Sequence, residues 1–138
     1  MIRYTAERYP PRRAHDDDAG TDLPLAHPVV VPAGGHVVAG TGIRVAIPTG
    51  YVGLVFVRSS TGIRRHVVLS NGTGVIDAGY RGEIQLSLHN TGSRSVRFAA
   101  GDYIAQMVIT PCLTTPWRQA TTLTPTERGT AGIGSTGQ

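Results

Sequence analysis

The sequence predicts an all-β fold. Eighteen glycines and nine prolines in 138 residues favour many turns and little helix. Short apolar runs separated by turn residues recur along most of the chain, and no stretch sustains a helical period beyond one turn after Arg58. The length is that of one domain with a packed core.

In chain order, the runs Val29 to Val31, Ile43 to Ile47, Tyr51 to Val57, Val67 to Leu69, Ile84 to Leu88, Val96 to Phe98 and Ile104 to Ile109 read as strands. Pro48-Thr49-Gly50 and Asn90-Thr91-Gly92 mark tight turns between them. The spacing is that of a sandwich or barrel, and periodicity does not choose between the two. After Trp117 the composition shifts to Thr, Gly, Pro and Ser, with Leu123 and Ile133 the only large apolar residues. Such a segment buries too little surface to order itself. The expected organisation is a single domain over 1–138, with a β core to about residue 118 and a mobile arm from about 119 onward.

Composition narrows the function classes. The chain is 40% apolar and 16% charged, as a soluble globular protein is, and no window approaches a membrane-spanning length. Met1-Ile2-Arg3-Tyr4 lacks the apolar core of a signal peptide, so the cytoplasm is the expected location. Cys112 is the only cysteine, which excludes an intrachain disulfide and a zinc site built on several thiolates; it is expected to be a buried apolar residue. The net charge is +4, and all 13 basic residues are arginine. They are scattered, with Arg12-Arg13 and Arg64-Arg65 as the only adjacent pairs and no interleaved aromatics, which argues against a nucleic-acid surface.

The densest chemistry lies in Gly74-Val75-Ile76-Asp77-Ala78-Gly79-Tyr80-Arg81-Gly82-Glu83. Val75 and Ile76 favour extended chain, Ala78-Gly79 supplies a turn, and alternation resumes through Ile84, Leu86 and Leu88 with Gln85, Ser87 and His89 on the other face. The expected unit is a β-hairpin with Asp77 and Tyr80 near its bend. It would offer main-chain groups and a stacking ring to a flat heterocycle, with a carboxylate toward the reactive end, an arrangement suited to a nucleoside.

This segment resembles the third motif of the trimeric dUTP pyrophosphatases, the dUTPases. The family's other motifs have counterparts in the same order: Asp18-Ala19-Gly20-Thr21-Asp22-Leu23, Arg58-Ser59-Ser60, Gly101-Asp102-Tyr103-Ile104-Ala105-Gln106, and Arg128-Gly129-Thr130-Ala131-Gly132-Ile133-Gly134-Ser135-Thr136-Gly137. The resemblance implies a distorted jelly roll of the β-clip type, a homotrimer with shared sites, and Mg²⁺-dependent hydrolysis of dUTP to dUMP and pyrophosphate. It also implies an arm that closes over a neighbouring subunit's site.

The resemblance assigns roles residue by residue. Asp77 orients or deprotonates the water that attacks the α phosphorus in line. Tyr80 lies under the deoxyribose, where a ribose 2′-hydroxyl would collide with it. Asn71 and the backbone of Gly74, Val75 and Ile76 read the uracil edge, and Gln85 contributes main chain to the base pocket. Arg58, Ser59, Ser60 and Gln106 hold phosphate oxygens. Arg128 takes the γ phosphate, and Gly134, Ser135 and Thr136 wrap the chain of phosphates. Ile133 stands where the family generally stacks a ring over uracil. It covers the base without a ring-on-ring contribution of about 0.5–1.5 kcal/mol, so weaker closure is expected. No direct protein ligand to Mg²⁺ is expected, Asp22 acting at most through a water. Ser60 replaces the family's usual Gly, and Tyr103 replaces a basic residue and receives no catalytic role. Asp102 is expected to fix the preceding turn.

Two alternatives remain open in the sequence. A dCTP deaminase shares the fold, but its catalytic Glu would align with Ser87, which cannot act as the base. A dUTPase-like nucleotide-binding or regulatory protein with weak turnover would keep the fold, although it would not need Asp77, Gln106 and Arg128 together.

Overall fold

The computed structural model describes residues 1–132. Among them are eleven strands: β1 (Arg3–Ala6), β2 (Thr21–Pro24), β3 (Val29–Val31), β4 (His36–Gly40), β5 (Ile43–Ala46), β6 (Tyr51–Val57), β7 (Val67–Leu69), β8 (Gly74–Ile76), β9 (Gln85–Asn90), β10 (Val96–Phe98) and β11 (Tyr103–Pro111). One helical turn, Ser60–Arg64, follows β6, with Thr61 and Gly62 both donating N–H to Arg58 O at 2.9 and 3.0 Å. The fold is nearly all-β, as expected.

The strands form a four-stranded antiparallel sheet in the order β2-β11-β6-β8, a three-stranded sheet β4-β9-β7, and the ribbons β1-β5 and β10-β3. Period-2 alternation decides what each strand buries. Leu86, Leu88 and Asn90 of β9 face the core, while Gln85, Ser87 and His89 point away. Leu86 and Leu88 join Ile43, Val55, Val67, Ile84, Phe98 and Met107 in one apolar cluster. Burial of each large aliphatic side chain contributes about 1.5–3 kcal/mol. β11 buries the adjacent pair Ile104 and Ala105, because a bulge shifts its register on β2 between Tyr103 and Ala105.

Among the described residues, Asn90 is one of three buried polar residues, with Thr41 and Thr61. Its Nδ2 donates to Val31 O and Arg94 O at 3.0 and 2.8 Å, and its Oδ1 accepts from Gly92 N at 2.9 Å. The fully satisfied amide fixes the turn from β9 toward β10 without leaving a buried group unpaired. His66 adopts a left-handed conformation with φ 54°. That kink turns its carbonyl to accept from Thr91 N and Thr91 Oγ1 at 2.8 and 3.0 Å, tying the end of the helical turn to the same corner.

Two expectations need correction. β8 and β9 do not pair as a hairpin: β8 pairs with β6, β9 pairs with β4 and β7, and the segment between them crosses from one sheet to the other. Ile84 N donates to Ile43 O rather than to β8, because burying Ile84, Leu86 and Leu88 requires the three-stranded sheet. Cys112 is partly exposed, at the point where its N–H donates to Gly50 O at 2.9 Å and the chain leaves the sheets. From Leu113 to Gly132 every residue is exposed, and none belongs to a strand.

Candidate active site

β2, β11 and β6 lie side by side, which puts Asp22 directly across from Gln106, and Gln106 across from Phe56. Arg58 is the first residue past β6, and its N–H donates to Ile104 O at 2.9 Å. These neighbours enclose a cavity of about 340 Å³ lined by Asp18, Gly20, Asp22, Arg58, Ser59 and Gln106, with Ala14 and Ala19. One guanidinium nitrogen of Arg58, Nη1, is 3.3 Å from Asp22 Oδ2 and donates to Tyr103 O at 3.1 Å. Both contacts use the same nitrogen, so Nη2 and Nε occupy the remainder of a rigid donor fork suited to phosphate oxygens. The N–H groups of Ser59 and Ser60 precede the first helical hydrogen bond, where main-chain donors lack intrahelical acceptors.

Gly20 is required by the space that Gln106 occupies: a Cβ built there would overlap Gln106 Oε1. Gly20→Ala is expected to push the flexible amide aside at little cost in stability while lowering the dUTP hydrolysis that the resemblance implies by about tenfold or more. Thermal melting beside steady-state hydrolysis checks this, and unchanged turnover would contradict it.

The second group of residues lies on β8 and the turn after it. β8 pairs on one side only, Gly74 with Val55, Val75 with Leu54 and Ile76 with Gly53. It is therefore an edge strand of its sheet, with main-chain groups of its other side available to a planar ligand. Two glycines allow the close seating: a Cβ on Gly53 would come within 2.8 Å of Ile47 Cδ1, and one on Gly74 within 3.1 Å of Val55 Cβ. Asp77 is exposed and opens a turn closed by Tyr80 N donating to Asp77 O at 3.0 Å. Tyr80 Oη donates to Glu83 O at 2.9 Å, and Glu83 Oε1 accepts from Gly42 N at 2.8 Å, which ties the turn to the β4–β5 connection. Asn71 is exposed in the preceding loop, its O accepting from Thr73 N at 2.8 Å. Gln85 is exposed at the start of β9, across from Gly40, and so belongs to the other sheet.

Gly82 lies against the Tyr80 ring so closely that a Cβ would overlap the phenol. Gly82→Ala is expected to displace the ring and reduce the preference for dUTP over UTP by about tenfold, read from the ratio of kcat/KM values. A ratio equal to wild type would contradict the sugar contact that the resemblance assigns to Tyr80.

Among the described residues, the single chain does not bring its candidate groups together. Neither Asp77 nor Tyr80 lines the cavity at Arg58. Arg128 lies on the exposed tail, and its Nε donates locally to Ala131 O at 3.1 Å. Ile133, Gly134, Ser135 and Thr136 lie outside the described residues. Asp102 Oδ2 accepts from Ala99 N at 2.8 Å, the turn-fixing contact expected of it. The residues that sequence reasoning left without a role are Asp18 and Gly20 at the cavity, Glu83 behind Tyr80, and Tyr103 beside Arg58.

The family model for dUTPase matches residues 7–137. The chain is 44% identical over 128 residues to the deoxyuridine 5′-triphosphate nucleotidohydrolase of Cutibacterium acnes, covering 92% of this chain and 84% of that protein. It is 40% identical over 139 residues to the enzyme of the same name from Corynebacterium glutamicum, covering 100% and 93%. Among solved structures, the dUTPase of Staphylococcus bacteriophage 80alpha with dUpNHpp matches at a TM-score of 0.92 and 30% identity, over 100% of this chain and 99% of that one. A mutant dUTPase from phage phi11 of S. aureus, in which a structural Mg(II) ion is coordinated, matches at a TM-score of 0.81 and 28% identity, over 88% and 97%. With a family match spanning nearly its whole length and relatives at this identity, the chain belongs to the dUTPase family.

Proposed function

We propose that the protein hydrolyses dUTP to dUMP and pyrophosphate, limiting uracil incorporation into DNA, and does so as a cytoplasmic homotrimer. The observation that carries the reading is the division of the chemistry between two places. Arg58, Ser59 and Gln106 gather at one cavity, and Asp77 and Tyr80 stand in the turn after the edge strand β8, away from its lining. Copies of the chain complete one another if one subunit supplies the first, second and fourth motifs, another the β8 edge, and a third the arm bearing Arg128. Leu113, Trp117 and Leu123 are 86%, 100% and 87% exposed, apolar surface that a neighbouring subunit would cover. No helix among the described residues is long and apolar enough to cross a membrane.

In this reading β8 offers main chain to uracil, and Tyr80 packs under the sugar. Arg58, Gln106 and the Ser59 and Ser60 amides hold the phosphates with the α phosphorus facing Asp77. The Asp77 carboxylate accepts a proton from water as the oxygen attacks phosphorus opposite the bridging oxygen, and pyrophosphate leaves. The arm then excludes bulk water, with Arg128 against the terminal phosphate.

The hard oxygen donors at the cavity fit Mg²⁺ held mainly by the nucleotide. Among the described residues no group of three His, Cys, Asp or Glu is placed to hold a metal, and Asp22 already engages Arg58, so Asp22 would reach the ion through a coordinated water. When bound, Mg²⁺ supplies charge neutralisation of the phosphates.

A panel of dUTP, dTTP, dCTP and UTP in Mg²⁺ tests the proposal. Diphosphate release is expected from dUTP far above the other three. Ammonia from dCTP, or no diphosphate from dUTP, would overturn it.

A further inference from the structure

We infer that Tyr103 is a positioning residue for Arg58, acting through a ring of contacts that includes Arg12 and Asp22. The inference rests on the dUTP-hydrolysing reading for its kinetic consequence. Tyr103 is half-buried at the start of β11, and three parts of it are engaged at once. Its main-chain O accepts from Arg58 Nη1 at 3.1 Å, its hydroxyl donates to Pro10 O at 2.9 Å, and its ring lies 3.9 Å from Arg12 Cζ. Arg12 and Asp22 exchange main-chain hydrogen bonds, Arg12 N to Asp22 O at 3.1 Å and Asp22 N to Arg12 O at 2.7 Å. The Asp22 carboxylate then meets Arg58 at 3.3 Å. Tyr103, Arg12, Asp22 and Arg58 thus form a closed circuit drawn from four separate stretches of chain.

The circuit matters because its ion pair is weak by itself. The Arg58 and Asp22 side chains are 36% and 16% exposed, and a pair of that kind does little alone to hold a long side chain in one orientation. The Asp22 backbone is already held in β2 across from Gln106, whereas Arg12 meets it only through an isolated bridge, so nothing in a sheet holds the Arg12 side of the circuit. Tyr103 secures that bridge from the other side, by a cation–π contact to Arg12 and a hydrogen bond two residues earlier at Pro10. A basic side chain at this position would repel Arg12 and could not supply the aromatic face. The phosphate-facing fork of Arg58 is thereby oriented from behind before nucleotide arrives.

Three variants test this: Tyr103→Phe, which keeps the ring and loses the hydroxyl, Tyr103→Leu, which loses both, and Arg12→Met, which removes the cation that clamps the main-chain bridge and leaves the bridge's own donors and acceptors. Tyr103→Leu is expected to raise the KM for dUTP by about tenfold with kcat within about threefold of wild type, because Arg58 grips phosphate in the ground state as well as in the transition state. Tyr103→Phe should recover part of the loss, and adding Arg12→Met to Tyr103→Leu should cost less than the sum of the two. Amide exchange at Arg12 and Asp22 and the Arg58 guanidinium resonances, followed in the nucleotide-free protein, should change in all three. Variants with wild-type KM, or with unaltered Arg58 resonances and amide exchange, would overturn the inference. So would additive losses that fall on kcat. If Tyr103→Leu does not fold, Tyr103→Phe and Arg12→Met decide by the same readouts. A wild-type protein inert toward dUTP would refute the hydrolytic reading, and the resonance and exchange measurements would still judge the circuit.

Discussion

Asp77→Asn is expected to lower dUTP hydrolysis by about a hundredfold to ten-thousandfold, the range for removal of a positioned general base. Asparagine has nearly the same shape and can keep the turn that Tyr80 N closes on Asp77 O at 3.0 Å, so neither the fold nor the Tyr80 platform should move. What the amide cannot do is take a proton from water. The affinity for dUpNHpp should therefore stay within about threefold of wild type while turnover collapses, the pattern of an interaction made mainly in the transition state. Titration of the analogue beside a pyrophosphate-release assay separates the two, and normal turnover would remove Asp77 from the reaction.

Truncation after Glu127 is expected to have the second largest effect. It deletes Arg128 and the glycine-rich segment that the resemblance assigns to the phosphates. Residues 113–132 are exposed and make no strand, so the β core keeps its buried contacts without the end of the tail. The melting temperature should stay near wild type, while kcat/KM for dUTP falls by about a hundredfold or more through loss of a charged phosphate contact and of closure. The comparison checks both halves of the claim: an unchanged rate would reject closure, and a collapsed melting transition would show that the segment belongs to the core.

Strands were legible where apolar residues announce themselves. Val29–Val31, Tyr51–Val57, Val67–Leu69 and Val96–Phe98 form strands with the bounds their patterning suggests. β1 was not legible, because all four of its residues are exposed and only pairing with β5 makes it a strand. β2 is hidden within Thr21-Asp22-Leu23-Pro24, too short and mixed to show alternation, and β4 carries Ala39 and Gly40 where an apolar run would continue. Strand partners were harder still. Alternation around Gly74–Leu88 marks extended chain, but the two halves of that segment join different sheets, a choice made by burial of Ile84, Leu86 and Leu88.

The candidate site divides in the same way. Asp77, Tyr80, Arg58 and Gln106 could be read from short local motifs, each compact enough to carry its own signal. The reason for Gly20 could not, since it lies in the Gln106 side chain 86 positions later. Tyr103 was legible only as a departure from the family pattern. Its contacts to Pro10, Arg12 and Arg58 bring together segments as much as 93 positions apart, and no local pattern encodes such a meeting.

The central claim, that each site draws its groups from different copies of the chain, is tested most directly by mixing two inactive proteins. One carries Asp77→Asn with an intact arm, and the other carries Asp77 with the chain ended at Glu127. After co-refolding in equal amounts, about a quarter of the sites should combine an intact Asp77 with an intact arm from another subunit, and dUTP hydrolysis should return to about that fraction of wild type. A mixture as inactive as either parent would contradict the account.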